Sequence, residues 1–403
     1  MQADEHVRVV CVAVESFSKD IKEATPKILQ SAGSVFESTS IVPHLKTLAA
    51  EIKNVFFSTE EFIKTTFEDL CVTVHDFHVL GKVCHLHSEY LTAKDYFHVA
   101  LKFNKHKNNK TVPDHSEEAA MFHNMGNLHY DLGDHQQAKE YYERALSIQL
   151  NKLGPDRVDV ANTYHNMGNL HYDLGEHQQA REYYERALSI KLNKLGPDNV
   201  DVALTYHNMG ILHHYLGEHQ QAKEYYERAL SVQLNKLGPD NVDVARTYLN
   251  MGNLHNDLSE HQQAKEYYER ALTIQLNKLG PDHVDVARTY HNMGNLHYYL
   301  GEHQQTKEYY ERALSIELNK LGPDHVAGAS TYHNMGNLHH DLGEHQQAKE
   351  YYERALSIQL NKLGPDHVDV ARTYRSLADV QRFLAIRSTI AALLRNDGDC
   401  NIV

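Results

Sequence analysis

A chain of 403 residues, 41% apolar and 23% charged, holds enough material for a sizeable core or for an array that grows by repetition. Its formal charge of −14, with no Lys/Arg run longer than two, argues against a nucleic-acid groove and against an anionic membrane surface. No segment approaches the roughly 18 consecutive apolar residues of a membrane span, and no basic stretch followed by an apolar one opens the chain.

Residues 1–70 read as mostly helical and otherwise unassigned. "HVRVVCVAV" (6–14) is compatible with strand or helix, "PHLKTLAAEIKNVFF" (43–57) has helical periodicity, and Ser58 and Glu61 form a capping box before the next run. Residues 71–111 carry a degraded copy of the unit that follows, with Gly81, Ala93, Phe97 and Ala100 at matching spacing, and then a linker, "NKHKNNKTVPD" (104–114). Cys11, Cys71, Cys84 and Cys400 are scattered without disulfide or zinc spacing, so a reduced, cytoplasmic protein is expected.

"LGPD" then recurs from 153 to 363 with a strict 42-residue period, marking six near-identical tandem units over 112–363. In the unit 154–195, Asp156 is the expected N-cap and Asp159 adds a carboxylate to the first turn. Val160, Ala161, Tyr164, Met167, Gly168 and His171 share one helical stripe. Gly175 is the expected helix stop. A second helix from about His177 to Lys194 buries Ala180, Tyr184, Ala187 and Leu188, with Glu182 and Arg186 as an i,i+4 pair on its wet side. Pro155 and its copies end each unit, because proline cannot continue a helix. Residues 364–395 begin a seventh unit with Tyr374, Leu377 and Ala378, then diverge into capping helices, and 396–403 form a disordered tail.

The hairpin resembles a tetratricopeptide repeat (TPR). Tyr164, Met167, Gly168, His171, Ala180, Tyr184 and Ala187 stand at that family's signature positions, with His171 in place of the usual Tyr and no proline late in the second helix. The 42-residue length and the "LGPDxVDVA" ending resemble the repeats of kinesin light chains and of nephrocystin-3-like proteins. The resemblance implies an all-α fold, an α-solenoid in which TPR hairpins wind as a right-handed superhelix, whose first helices line a concave groove.

Five of the six first helices carry paired asparagines and the sixth carries one, although Asn is about 0.7 kcal/mol worse than Ala in a helix. They form two rows: Asn124, Asn166, Asn208, Asn250, Asn292 and Asn334, and beside them Asn127, Asn169, Asn253, Asn295 and Asn337. A carboxamide offers a donor and an acceptor, so such rows suit capture of an extended peptide by its backbone. The first row matches the Asn that similar TPR proteins use in this way. Arg246 and Arg288 add cations to the groove, while Ile211 interrupts the second row and Leu249 replaces a His. Homogenised copying of an idle exposed residue is the competing explanation.

The 31 His raise two further questions. His165 and His171 lie on different helix faces, and His75 to His85 spans about 15 Å if helical, so no metal site is expected. Full protonation would raise the formal charge of −14 by 31, so the groove is expected to reverse sign as pH falls through about 6.5. No P-loop, nucleophile elbow or zinc-protease motif is present, so neither an enzyme nor a cofactor is expected. "CNIV" loosely fits a prenylation box with Cys400 as acceptor.

The expected function is a protein–protein scaffold that takes extended peptide segments. It would resemble a kinesin-light-chain cargo adaptor, associated with the cytoskeleton or a cilium and partnered by a kinesin motor or a signalling complex. Alternatives are the C-terminal TPR sensor arm of a NACHT/NB-ARC-type signalling ATPase, since "IVPHLKTLAAEI" (41–52) resembles the junction before such arrays, and a nephrocystin-3-like ciliary scaffold.

Overall fold

The computed structural model describes residues 78, 81–82, 84–85, 90–108 and 115–396. The readings made for 1–70, for most of the 104–114 linker, for His75 and for Cys400 lie outside the described residues. Among the described residues every regular element is a helix, and none is long and apolar enough to cross a membrane. The chain divides into two compact units, residues 1–197 and 198–403.

In the first unit, α1 (Tyr90–Asn108) packs on α2 (His115–Asp131), which forms a hairpin with α3 (His135–Ile148). A π-helical turn, Gln149–Leu153, extends α3 before the second hairpin, α4 (Val158–Asp173) with α5 (His177–Leu195). The second unit repeats the hairpin four times: α6 (Val200–Tyr215) with α7 (His219–Leu237), α8 (Val242–Asp257) with α9 (His261–Leu279), α10 (Val284–Tyr299) with α11 (His303–Leu321), and α12 (Val326–Asp341) with α13 (His345–Leu363). A last helix, α14 (Val368–Asn396), packs on α13. Successive first helices (α6, α8, α10, α12, α14) also touch one another and so form one layer of that unit. Each unit is thus a solenoid of helical hairpins, as the repeat predicts.

The local chemistry explains each boundary. Gly175 sits at φ +75°, and the N–H groups of Gly175 and Glu176 return to the carbonyls of Tyr172 and His171 at 3.0 and 2.8 Å, the two bonds of a Schellman stop. The expected stripe is buried in full: Val160, Ala161, Tyr164, Met167, Gly168 and His171 all face inward. Gly168 is there because a Cβ would stand 2.5 Å from the ring of Tyr184. Ala180, Tyr184 and Ala187 are buried as expected, whereas Leu188 is only half-buried.

Three local expectations need correction. Asp156 is not the N-cap: α4 starts after Arg157, whose side chain makes no capping bond. Later copies do cap, through the side chains of Asn199 and Asn241, each accepting from the N–H two residues on at 2.8 Å. Arg186 does not pair with Glu182 but lies 5.7 Å over the ring of Tyr164, where a cation meets the negative face of the aromatic system. The seventh unit ends in one continuous helix rather than several. Leu384–Ala385 occupy the place of the Leu–Gly stop, and Ala, unlike Gly, resists the left-handed conformation that would end the helix. No second helix covers this segment among the described residues, so Leu377 is buried by α13 while Tyr374 and Ala378 are exposed.

Candidate peptide-binding surface

Residues 162, 166, 169 and 173 of α4, and their copies, recur at i, i+4, i+7 and i+11, which places them on one stripe of each first helix. All eleven asparagines of the two rows lie on this stripe and are half-buried. The structure gives them an internal use. In the second row, the Oδ1 of Asn127, Asn169, Asn253, Asn295 and Asn337 accepts from the hydroxyl of Tyr142, Tyr184, Tyr268, Tyr310 and Tyr352, at 2.7–2.9 Å. The first row reaches across the repeat junction: Asn166, Asn292 and Asn334 donate to Asn127, Asn253 and Asn295 at 2.8–2.9 Å.

A second set of bonds locks the same junctions. Thr247 has one hydroxyl proton, already claimed by two acceptors, Gln233 Oε1 at 2.8 Å and the Asp243 carbonyl at 3.2 Å, so at 2.9 Å it must accept from His207 Nδ1–H. His207 is then the neutral Nδ1–H tautomer, and its Nε2 accepts from Asn250 at 3.2 Å. His291 bonds Thr331 and Asn334 in the same way, and His123 bonds Thr163 and Asn166. Burial lowers the pKa of His165 and His207 to about 3, and of His123, His291 and His333 to about 4. The expected change of sign near pH 6.5 is therefore corrected for this row, whose members stay neutral there. Leu249 fills the same position with 1% exposure, so an apolar side chain also fits it.

The ladder does not exhaust the carboxamides. It engages Oδ1 of Asn253 and Nδ2 of Asn250, and leaves Asn253 Nδ2 and Asn250 Oδ1 without a hydrogen-bond partner among the described residues. In the first unit, Asn127, Asn166 and Asn169 also line a cavity of about 280 Å³ together with His85, Tyr130, Asp131 and Tyr142. Arg246 and Arg288 are exposed, and each is answered three residues earlier, by Asp243 at 3.0 Å and Asp285 at 2.8 Å. Among the described residues no three His, Cys, Asp or Glu side chains gather as metal ligands.

Sequence reasoning about the Asn rows missed the rest of the stripe. At its first position the successive copies carry Asn162, Leu204, Arg246, Arg288 and Ser330. At its last they carry Asp173, Tyr215, Asp257, Tyr299 and Asp341, and Tyr215 and Tyr299 are 65% and 67% exposed. The second helices read "HQQAKEYYERALSIQLNKL" almost letter for letter. Superposing the units on their own period would have shown the stripe's two ends, at 162 and 173 and their copies, among the positions that vary, beside 157, 172 and the buried 191.

The family model for the tetratricopeptide repeat matches in overlapping pairs of units, at 117–193, 159–235, 201–277, 243–319, 285–361 and 328–385. Among curated proteins none matches the chain. Solved structures with a similar fold include the apo quorum sensor NprR of B. thuringiensis, 15% identical with a TM-score of 0.61 over 89% of this chain and 97% of that one. BtubC (BKLC) of P. vanneervenii is 25% identical with a TM-score of 0.48 over 56% of this chain and 91% of its own. A putative kinesin light chain of Podosopora anserina with nearly identical TPR-like repeats is 20% identical, with a TM-score of 0.43 over 51% and 97%.

Proposed function

The chain belongs to the tetratricopeptide-repeat family, and on that premise we propose that it is a non-catalytic scaffold that holds extended segments of partner proteins on its first helices. One observation carries this reading. In units that are otherwise near copies, the position that differs most, carrying Asn162, Leu204, Arg246, Arg288 and Ser330 in turn, lies on the Asn stripe of the first helices. A purely structural face would be copied with the rest, as the second helices are. Beside Arg246, the half-used carboxamides of Asn250 and Asn253 supply a backbone acceptor and donor that suit any sequence.

The more specific form of the proposal is a cytoplasmic cargo adaptor of the kinesin-light-chain kind, supported by the 42-residue unit and its "LGPDxVDVA" ending. Photo-crosslinking from the full chain tests both levels. With a photoreactive residue at 204 or 288, captured partners should attach there. The same residue placed at Glu224, on the exposed side of α7, should capture little. Capture confined to α7 would overturn the scaffold face, and partners without any motor or motor cargo would remove the adaptor role.

A further inference from the structure

The last position of the stripe carries Tyr215, Asp257, Tyr299 and Asp341 on α6, α8, α10 and α12, an alternation along four consecutive repeats of the second unit. These ends adjoin one another: His214 Nε2 bonds Asp257 at 2.9 Å, and the Tyr298 hydroxyl bonds Asp341. Between them, Asn292 joins α10 to α8 at 2.8 Å. Building on the scaffold reading, we infer that this rim docks an extended cationic segment whose Lys or Arg side chains recur at every third residue.

Charge selects the sign of the ligand. At the opposite end of the stripe, Arg246, Arg288 and Arg372 are each neutralised by an Asp at i−3, at 2.8–3.0 Å. At the rim, Asp257 and Asp341 are exposed, and their side-chain partners are an imidazole and a phenol rather than Lys or Arg. The stripe thus presents carboxylates without a Lys or Arg partner at one end and answered guanidinium groups at the other. An acidic segment would meet repulsion at the rim with no spare cation to offset it.

The tyrosines fit the same ligand. A guanidinium over a tyrosine face is a contact this fold already makes within its hairpins, for example Arg270 at 5.7 Å from the ring of Tyr248 and Arg312 at 5.7 Å from that of Tyr290. Spacing then fixes the register. Adjacent packed helices lie about 8–10 Å apart, and an extended chain in the polyproline II conformation advances about 3.1 Å per residue with three residues per turn, so that every third side chain faces the same way. One residue in three therefore meets each repeat, alternately over an aromatic face and beside a carboxylate.

The test uses the full chain and labelled twelve-residue peptides in fluorescence polarisation. One peptide has Arg at every third position in a Gly/Ser background, a second has the same four Arg in a block, and a third has Glu in place of each Arg. The spaced peptide should bind best, the block about tenfold more weakly, and the Glu peptide not at all. Tyr299→Ala and Asp257→Asn, both at exposed positions, should each weaken the spaced peptide about three- to tenfold with an unchanged helical spectrum. Equal affinity for spaced and blocked Arg, or binding indifferent to both substitutions, would overturn the inference. If crosslinks still map to residues 204 and 288 while the spaced peptide fails, only this inference falls. If crosslinks map to α7, the scaffold face falls with it.

Discussion

A methyl group added at Gly210 would stand 2.6 Å from Tyr226 Cδ1, closer than carbon atoms approach without something moving. The ring cannot swing aside freely, because Tyr226 is buried at the helix crossing. Gly210→Ala should therefore cost about 1–3 kcal/mol, and Gly210→Leu no less. Urea unfolding of the full chain measures this, and a variant whose urea midpoint equals the parent's would disprove the tight crossing. Ser259 presents the opposite case. It holds φ +59° where every other described copy of the stop has Gly or turns no corner. The left-handed conformation costs an L-residue about 1–2 kcal/mol, and the extra freedom of Gly in the unfolded chain takes back up to about 1 kcal/mol. Ser259→Gly should thus raise stability by about 0.5 kcal/mol, seen as a small upward shift of the urea midpoint.

The first helices show how much of the element-scale design was legible. Burial of Val160, Tyr164 and Gly168 follows from 3.6-residue periodicity, and Gly175 declares the stop by itself, because both signals are local. The Asn ladder was not legible. Asn166 and Asn127 are 39 residues apart, and only the stacking of one repeat on the next brings the carboxamides to 2.8 Å. The N-cap at Arg157 and the unbroken α14 were missed because one residue decided each: a capping side chain absent in the first case, Ala385 for Gly in the second. The ladder makes two asparagines unequal. Asn250→Ala removes one bond worth about 0.5–1.5 kcal/mol and gains about 0.7 kcal/mol of helix propensity, so stability should hardly change. Asn253→Ala strands the buried Tyr268 hydroxyl and the Asn292 amide together and should cost about 1–2 kcal/mol net. Paired thermal melts decide: equal losses at the two positions would mean that the ladder does not hold the junctions.

Across the whole molecule, the buried histidines couple folding to pH, and the sign follows from their neutrality. The folded-state pKa of His123, His165, His207, His291 and His333 lies at about 3–4, below the 6.5 of an unfolded imidazole. Between these limits the unfolded chain binds protons that the folded chain refuses. Their contribution is therefore fully present above pH 6.5 and is lost as pH falls toward 4. Well below 6.5 each such His removes about 1.4 kcal/mol per pH unit. Protonation at Nε2 of His207 would also set a second N–H against the amide of Asn250 instead of an acceptor. The formal charge of −14 works the other way, since acid relieves the repulsion of a net anion, so the parent's profile alone mixes two effects. A single substitution separates them. His207→Leu copies what Leu249 already does in the next repeat. At pH 8 the variant should be less stable than the parent by about 1 kcal/mol, for the bonds lost to Thr247 and Asn250. By pH 5 the parent also carries the cost of keeping that imidazole neutral, and the variant does not. The gap should close or reverse, and calorimetric unfolding at pH 5 should take up nearly one proton fewer in the variant. A gap that stays constant from pH 8 to pH 5 would show that His207 titrates in the folded chain as it does in the unfolded one.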